Sequence, residues 1–164
     1  MTPLTLVSRE PAAPKTESKT QIRSALLGDV DVSTDDIFTF PKGLLGFPEC
    51  RSFALMRGAR DGLFWLQSME YSTLAFLLID PFAVESNYSF DVPPSQIMEL
   101  GAGDPADIGL LAVVTLPANR GELPTVNLQG PLVINFRTRR AKQIVTQEAD
   151  FSVRRPVDLG RVVA

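Results

Sequence analysis

The sequence contains no histidine. That removes the commonest general acid/base and the commonest zinc ligand, and makes a Ser–His–Asp triad or a Cys–His pair impossible. Cysteine occurs once, at Cys50, so no intramolecular disulfide can staple the chain. Tryptophan also occurs once, at Trp65. The N-terminus has no basic segment leading into an apolar core, so it does not read as a secretory signal, and the cytoplasm is the expected compartment. The densest apolar run, Leu74 to Ile79, is far too short to span a bilayer as a helix. No broad basic footprint is present: 16 basic and 19 acidic residues leave a net charge of −3, which does not suit a general nucleic-acid binder. Phosphate-binding glycine patterns are missing as well. Gly101-Ala102-Gly103 lacks a third glycine and a following helix, and Lys42-Gly43 lacks the spacing of a P-loop.

What is present is a succession of short strand signals. A chain of 164 residues is long enough for one domain with its own core. Residues 1–20, rich in Pro, Ser, Thr and Lys, are expected to form a disordered extension. Residues 21–156 are expected to form the folded domain, and 157–164 a loosely held tail. Asp29 to Val32 alternates as a half-buried strand does, and Ile37 to Phe40 resumes one. Pro41 to Glu49 carries two prolines and two glycines, which forbid a regular element. Its Leu44, Leu45 and Phe47 make it an ordered loop folded onto the body. Strands are expected over Arg51–Arg57, Phe64–Ser68, Ala75–Asp80, Tyr88–Val92, Ile108–Leu116, Thr125–Leu128, Leu132–Asn135 and Lys142–Thr146. Leu74 to Ile79 is apolar at every position, as in a strand buried on both faces. Pro93 to Leu100, with proline at the start and Gly101 at the end, predicts one short helix. Roughly ten short strands with regularly spaced turns and a single helix predict an all-β fold, a small closed or partly closed barrel.

Few residues offer chemistry. Asp29, Asp31, Asp35 and Asp36 lack the spacing of a calcium loop and read as a solvated strand face plus a turn. Asp80 before Pro81 could be a catalytic carboxylate at a strand end or a contact to a partner, but a lone carboxylate is a weak catalytic signal and it reads as a strand terminator bonding nearby backbone. Gln67 and Ser68 sit where a strand leaves the core, Asn127 and Asn135 in short strands between turns, and each could satisfy local backbone or meet an incoming peptide. The basic segment with Arg137, Arg139, Arg140 and Lys142 reads as a hairpin tip, with protein docking and RNA contact as alternatives. No aromatic platform is interleaved with it. The expected partner-binding residues are thus Phe47, Gln67, Ser68, Asp80, Asn127, Arg139, Arg140 and Lys142. No catalytic residue, metal ligand or cofactor site is expected. A flavin-binding split barrel and an RNA-binding barrel stand as alternative readings of the same strand pattern.

An ordered set of motifs resembles the FliW family of flagellar assembly factors. The set opens with Phe38-Thr39-Phe40-Pro41-Lys42-Gly43-Leu44-Leu45-Gly46-Phe47. Leu66-Gln67-Ser68 and Ala75-Phe76-Leu77-Leu78-Ile79-Asp80-Pro81-Phe82 follow, then Val113-Val114-Thr115-Leu116-Pro117. Val126-Asn127-Leu128-Gln129-Gly130-Pro131-Leu132-Val133-Ile134-Asn135, Lys142-Gln143 and Phe151-Ser152-Val153-Arg154 complete it. The likeness runs from about Ser24 to Pro156 and leaves out the N-terminal extension. Gly130, Phe151 and Arg155 depart from the alanine, tyrosine and histidine usual in the family at these places. The resemblance implies a β-barrel-like protein without enzymatic activity that binds flagellin in the cytoplasm. It also implies binding to CsrA, a basic RNA-binding translational regulator, with the two partners sharing one pool of the assembly factor. No direct contact with nucleic acid or membrane is implied.

Overall fold

A computed structural model describes residues 19–101, 104–145 and 151–162. Among the described residues eleven strands run in chain order. β1 (Lys19–Ser24) and β2 (Gly28–Ser33) form a separate hairpin. β3 (Ile37–Thr39), β4 (Ser52–Arg57), β5 (Leu63–Ser68), β6 (Ala75–Ile79) and β7 (Ile108–Thr115) follow as an antiparallel meander. Then come β8 (Thr125–Val126), β9 (Leu132–Asn135), β10 (Arg140–Gln143) and β11 (Arg155–Pro156). The helices α1 (Pro81–Val84), α2 (Pro94–Glu99) and α3 (Leu159–Val162) are short.

Closure comes from β7. Its first half pairs with β9, from Ile108↔Asn135 to Leu111↔Leu132. Its second half pairs with β8 at Val114 and Thr115. Because β9 also pairs with β10, and β10 meets β3, seven strands form a closed barrel: β3, β4, β5, β6, β7, β9 and β10. β8 and β11 hang from it as an extension of the sheet. The seam between β3 and β10 is parallel and consists of one residue pair, Thr39↔Arg140, with the Thr39 N–H donating to Arg139 O.

Alternation along the strands sorts the apolar residues into layers. Phe38, Phe53, Leu55, Phe64, Leu66, Leu78, Leu111, Leu132, Ile134 and Ala141 point into the barrel. Leu77, Ile79, Leu110, Ala112, Val114 and Val133 point out, under a second layer made by Tyr88, Phe90, Val92 and Leu100. Thus β6 is buried on both faces, which is why Leu74–Ile79 shows no alternation. The β1–β2 hairpin covers a third patch, packing Ile22 and Val32 over Ala54 of β4. Gly109 lies on the inward side of β7, where a Cβ would stand 2.6 Å from the Phe136 ring that fills this end of the barrel.

Two sequence expectations are corrected. Tyr88–Val92 is not a strand. Its alternating residues are buried, and Tyr88 donates its hydroxyl hydrogen to Leu128 O at 2.8 Å, but the segment packs across the sheet face without a ladder. Alternation reports one buried side, and an unpaired extended segment satisfies it equally well. The last barrel strand begins at Arg140 and not at Lys142, because Arg139 at φ 58° completes the turn and pairing resumes immediately. The extension expected over residues 1–20 lies, up to residue 18, outside the described residues; Lys19 and Thr20 belong to β1. The tail expected from residue 157 starts with a buried Val157 whose N–H donates to Pro124 O.

Candidate functional site

β3, β5, β7 and β10 finish, and β4, β6 and β9 start, at the same end of the barrel. At that end a groove of about 610 Å³ opens. Its floor is formed by inward-pointing residues from the strand ends: Phe76 of β6, Val113 and Thr115 of β7, and Gln143 of β10. Leu44 and Leu45 form one wall, from the β3–β4 loop. The segment Leu116–Leu123 forms another, and Val153 with Arg154 closes the side.

The β3–β4 loop is held tightly for a segment without regular structure. Leu44 and Phe47 exchange two backbone hydrogen bonds, of 3.2 and 2.8 Å. Gly43 sits at φ 65°, and a Cβ there would lie 2.5 Å from Phe47 O, so both conformation and space demand glycine. Phe47 packs edge-on against Phe76, with ring centroids 5.7 Å apart. On the groove side the Leu45 N–H donates to Gln143 Oε1, and Gln143 Nε2 donates to Gly130 O. Gly130 N–H in turn donates to Asn127 Oδ1, which also accepts from Gln129 N. Gln143 therefore ties the loop to the Asn127–Gly130 turn across the groove floor.

Apart from Met98 on α2, the exposed large apolar side chains of the described residues lie at the mouth and in the loops near it. Leu45, Leu116, Leu123 and Val153 line the groove and are each more than half exposed. Val145 follows β10 at the same end. The tip of the β1–β2 hairpin, with exposed Leu26 and Leu27, is tied to the β5–β6 loop that carries exposed Tyr71, because Ala25 N–H donates to Ser72 O at 2.8 Å. Scattered single apolar residues are ordinary on a surface, but a concentration rimming a groove marks a docking face.

The residues singled out from sequence divide into four groups. Phe47 and Asn127 belong to this mouth. Gln67 and Ser68 are buried and hydrogen-bond the chain's own backbone. Gln67 Nε2 lies 3.1 Å from the carbonyl oxygens of Ser68, Tyr71 and Leu74 and 3.3 Å from that of Ser72. The opposite amide orientation would point an oxygen at four acceptors, so the donor is fixed there. Ser68 Oγ accepts from the N–H groups of Glu70 and Tyr71. Together they set the β5–β6 loop that carries Tyr71. Asp80 lies at the far end of β6, where its Oδ1 accepts from Phe82 N at 2.9 Å and caps α1. Arg139, Arg140 and Lys142 lie along the seam. Arg139 pairs with Asp35 at 3.2 Å, and Lys142 bonds Glu99 and Gln96 of α2.

Sequence reading missed Leu116, Leu123, Val153 and Gln143 as groove residues, whereas Leu45 lies in the loop around Phe47 that it singles out. Leu123 stands directly before a proline in an otherwise polar loop, and Leu116 directly before one at the exit of an apolar strand. A large apolar residue in such a place is the signal that could have found them.

With this geometry in view, comparison with known proteins is informative. The FliW protein family model matches residues 21–157.

The chain belongs to the FliW family.

Its relatives include the flagellar assembly factor FliW of Pseudothermotoga lettingae, 36% identical over 128 residues that cover 78% of this chain and 82% of that protein. The flagellar assembly factor FliW of Natranaerobius thermophilus is 34% identical over 138 residues, covering 84% and 91% of the two chains. A crystal structure of the flagellar assembly factor FliW superposes with a TM-score of 0.75 at 28% identity, covering 84% of this chain and 96% of that one. The FliW match spans the barrel, the groove and the seam together. No helix among the described residues is long and apolar enough to cross a membrane.

Proposed function

We propose that this FliW-family protein is a cytoplasmic, non-catalytic flagellar assembly factor that binds flagellin and antagonises the translational regulator CsrA by partner switching. When flagellin is abundant it occupies the protein and CsrA is released to repress flagellin translation. When flagellin is scarce the protein is free to hold CsrA. The logic is linkage: whichever ligand occupies the shared pool sets how much of it the other can use.

The observation that carries the reading is the groove at the barrel mouth, rimmed by exposed Leu45, Leu116, Leu123 and Val153. Such a rim suits an apolar stripe of a partner segment, with the strand ends and loop carbonyls alongside it. Asp80, the strand-end carboxylate that most resembled a catalytic group, is used to cap α1, which favours binding over chemistry.

Gel filtration of the purified protein with its cognate flagellin and, separately, its cognate CsrA tests the reading. A stoichiometric complex with each is expected, and co-elution with neither would overturn it. The double variant Leu45→Asp, Leu123→Asp alters exposed positions and is expected to fold normally. It should weaken flagellin binding by at least ~10-fold, as loss of apolar anchors at an interface does.

A further inference from the structure

A second concavity lies outside the barrel, over the seam. It encloses about 420 Å³ between the start of the β3–β4 loop, β10 and the C-terminal end of α2. Its apolar base is formed by Pro41 and the buried Leu100, beside β10 at Ala141, whose side chain points into the barrel. Its rim is basic. Lys42, Arg140 and Lys142 face a single carboxylate, Glu99. Lys142 is committed to Glu99 at 2.8 Å and to Gln96, and only 16% of its side chain is exposed. Lys42 stands 3.6 Å from the same carboxylate with 66% of its side chain exposed. Arg140 is exposed, and its guanidinium has no hydrogen bond or ion pair among the described residues.

One carboxylate thus serves two lysines, while a neighbouring arginine has no acidic partner among the described residues. A local positive excess of this kind stands out in a chain whose net charge is −3. An arginine fork is built to take a carboxylate in bidentate fashion, and a lysine adds charge without fixed geometry. The volume accommodates a side chain or two of an incoming segment, which is the scale of a ligand pocket.

We infer that this cleft binds an acidic segment of a protein partner, with a carboxylate on Arg140 and Lys42 and an adjoining apolar side chain on Pro41 and Leu100. Nucleic acid fits less well. The cleft has no aromatic platform for a base, the next basic residue along the seam, Arg139, is paired with Asp35, and Glu99 at its centre would repel a phosphate backbone. The inference uses neither flagellin nor the apolar groove and stands or falls independently of them.

The test is fluorescence anisotropy on the full chain at low salt, with a fluorescein-labelled peptide of alternating Asp and Leu as the probe. A saturable signal is expected that weakens as salt is raised and is not competed by a peptide of alternating Lys and Leu. Arg140→Ala should weaken binding ~10-fold, as loss of a charge-assisted hydrogen-bonded pair does, with Arg140→Lys intermediate. Lys42→Ala should weaken it further. Unchanged thermal melting of these surface variants establishes that they fold. Absence of saturable binding, or equal binding by the Arg140→Ala, Lys42→Ala double variant, would overturn the inference. Displacement of the peptide by a single-stranded RNA oligonucleotide at comparable concentration would overturn it in favour of nucleic acid.

Discussion

Gln67 shows how a residue with no surface of its own can govern one. Its amide nitrogen gathers the carbonyls of Ser68, Tyr71, Ser72 and Leu74, which fold the β5–β6 loop back on the strand end. Some of these oxygens have other donors: Tyr71 O accepts from Leu74 N, Leu74 O from Ser68 N, and Ser72 O from Ala25 N. Gln67→Leu therefore does not orphan the whole set. It should cost about 1–3 kcal/mol, the usual consequence of leaving a buried acceptor short of a donor. Urea unfolding is the measurement, and an unchanged midpoint would show that water or a shifted loop replaces the amide. Gln67 and Ser68 were recognisable in sequence as special, because polar residues interrupt an apolar strand. Their roles were not, since a buried amide and a partner-facing amide look the same until the carbonyls around them are known.

Among the elements, α2 is the one whose attachment depends on charge. It is clamped to the barrel by Lys142 through Gln96 and Glu99, while Asn135 Nδ2 and Thr138 Oγ1 donate to Leu100 O just past its end. The hydrogen bond from Lys142 holds the Glu99 carboxyl below its ordinary value of 4.5, and Arg155 does the same for Glu85. A depressed carboxylate contributes stability above its unfolded value and loses it as pH falls through the folded one. Asp36, raised chiefly by burial, runs the opposite way. Melting temperature should therefore fall as pH drops below 4.5, and the fall should be smaller in Lys142→Met. Equal profiles would show that the clamp adds nothing, as exposed pairs often do. The existence of α2 was legible from Pro93-Pro94 and Gly101, and most strands were legible from alternation or a solid apolar run. Partnering was less so. Nothing in the order of residues says that β7 changes partner midway, that Tyr88–Val92 pairs with nothing, or that the Lys142 ammonium lies against a helix some forty residues earlier. Such facts depend on closure of the barrel, which joins segments remote in the chain.

For the whole molecule, the barrel places two different surfaces on one loop. Leu44 and Leu45 face the apolar groove, while Pro41 and Lys42 face the basic cleft. The turn between them is fixed by Gly43 and by the Leu44–Phe47 bonds. The groove's lining comes from the β3–β4 loop, β6, β7, β10 and the segment at Val153, so it exists only when the barrel is complete. Fragments ending before β9 are expected to bind neither flagellin nor the acidic probe, a point that titration of such fragments would check.

The parallel seam has a consequence in time. From β3 to β7 each strand pairs with its predecessor, so that meander can form from contacts close in sequence. Thr39 and Arg140 meet across nearly the whole barrel sequence and hold one rung between them. Closing such a distant contact is entropically costly and yields little until β9 and β10 are also in place. The seam should then be the last part of the barrel to assemble and the first to open. Native-state hydrogen exchange should find the Thr39 amide less protected than those of β5 and β6, with its opening free energy well below that of global unfolding. Full protection at Thr39 would mean instead that the barrel opens as a unit. The β3–β4 loop begins at this rung, so the mouth of the barrel would loosen on the same timescale as its seam.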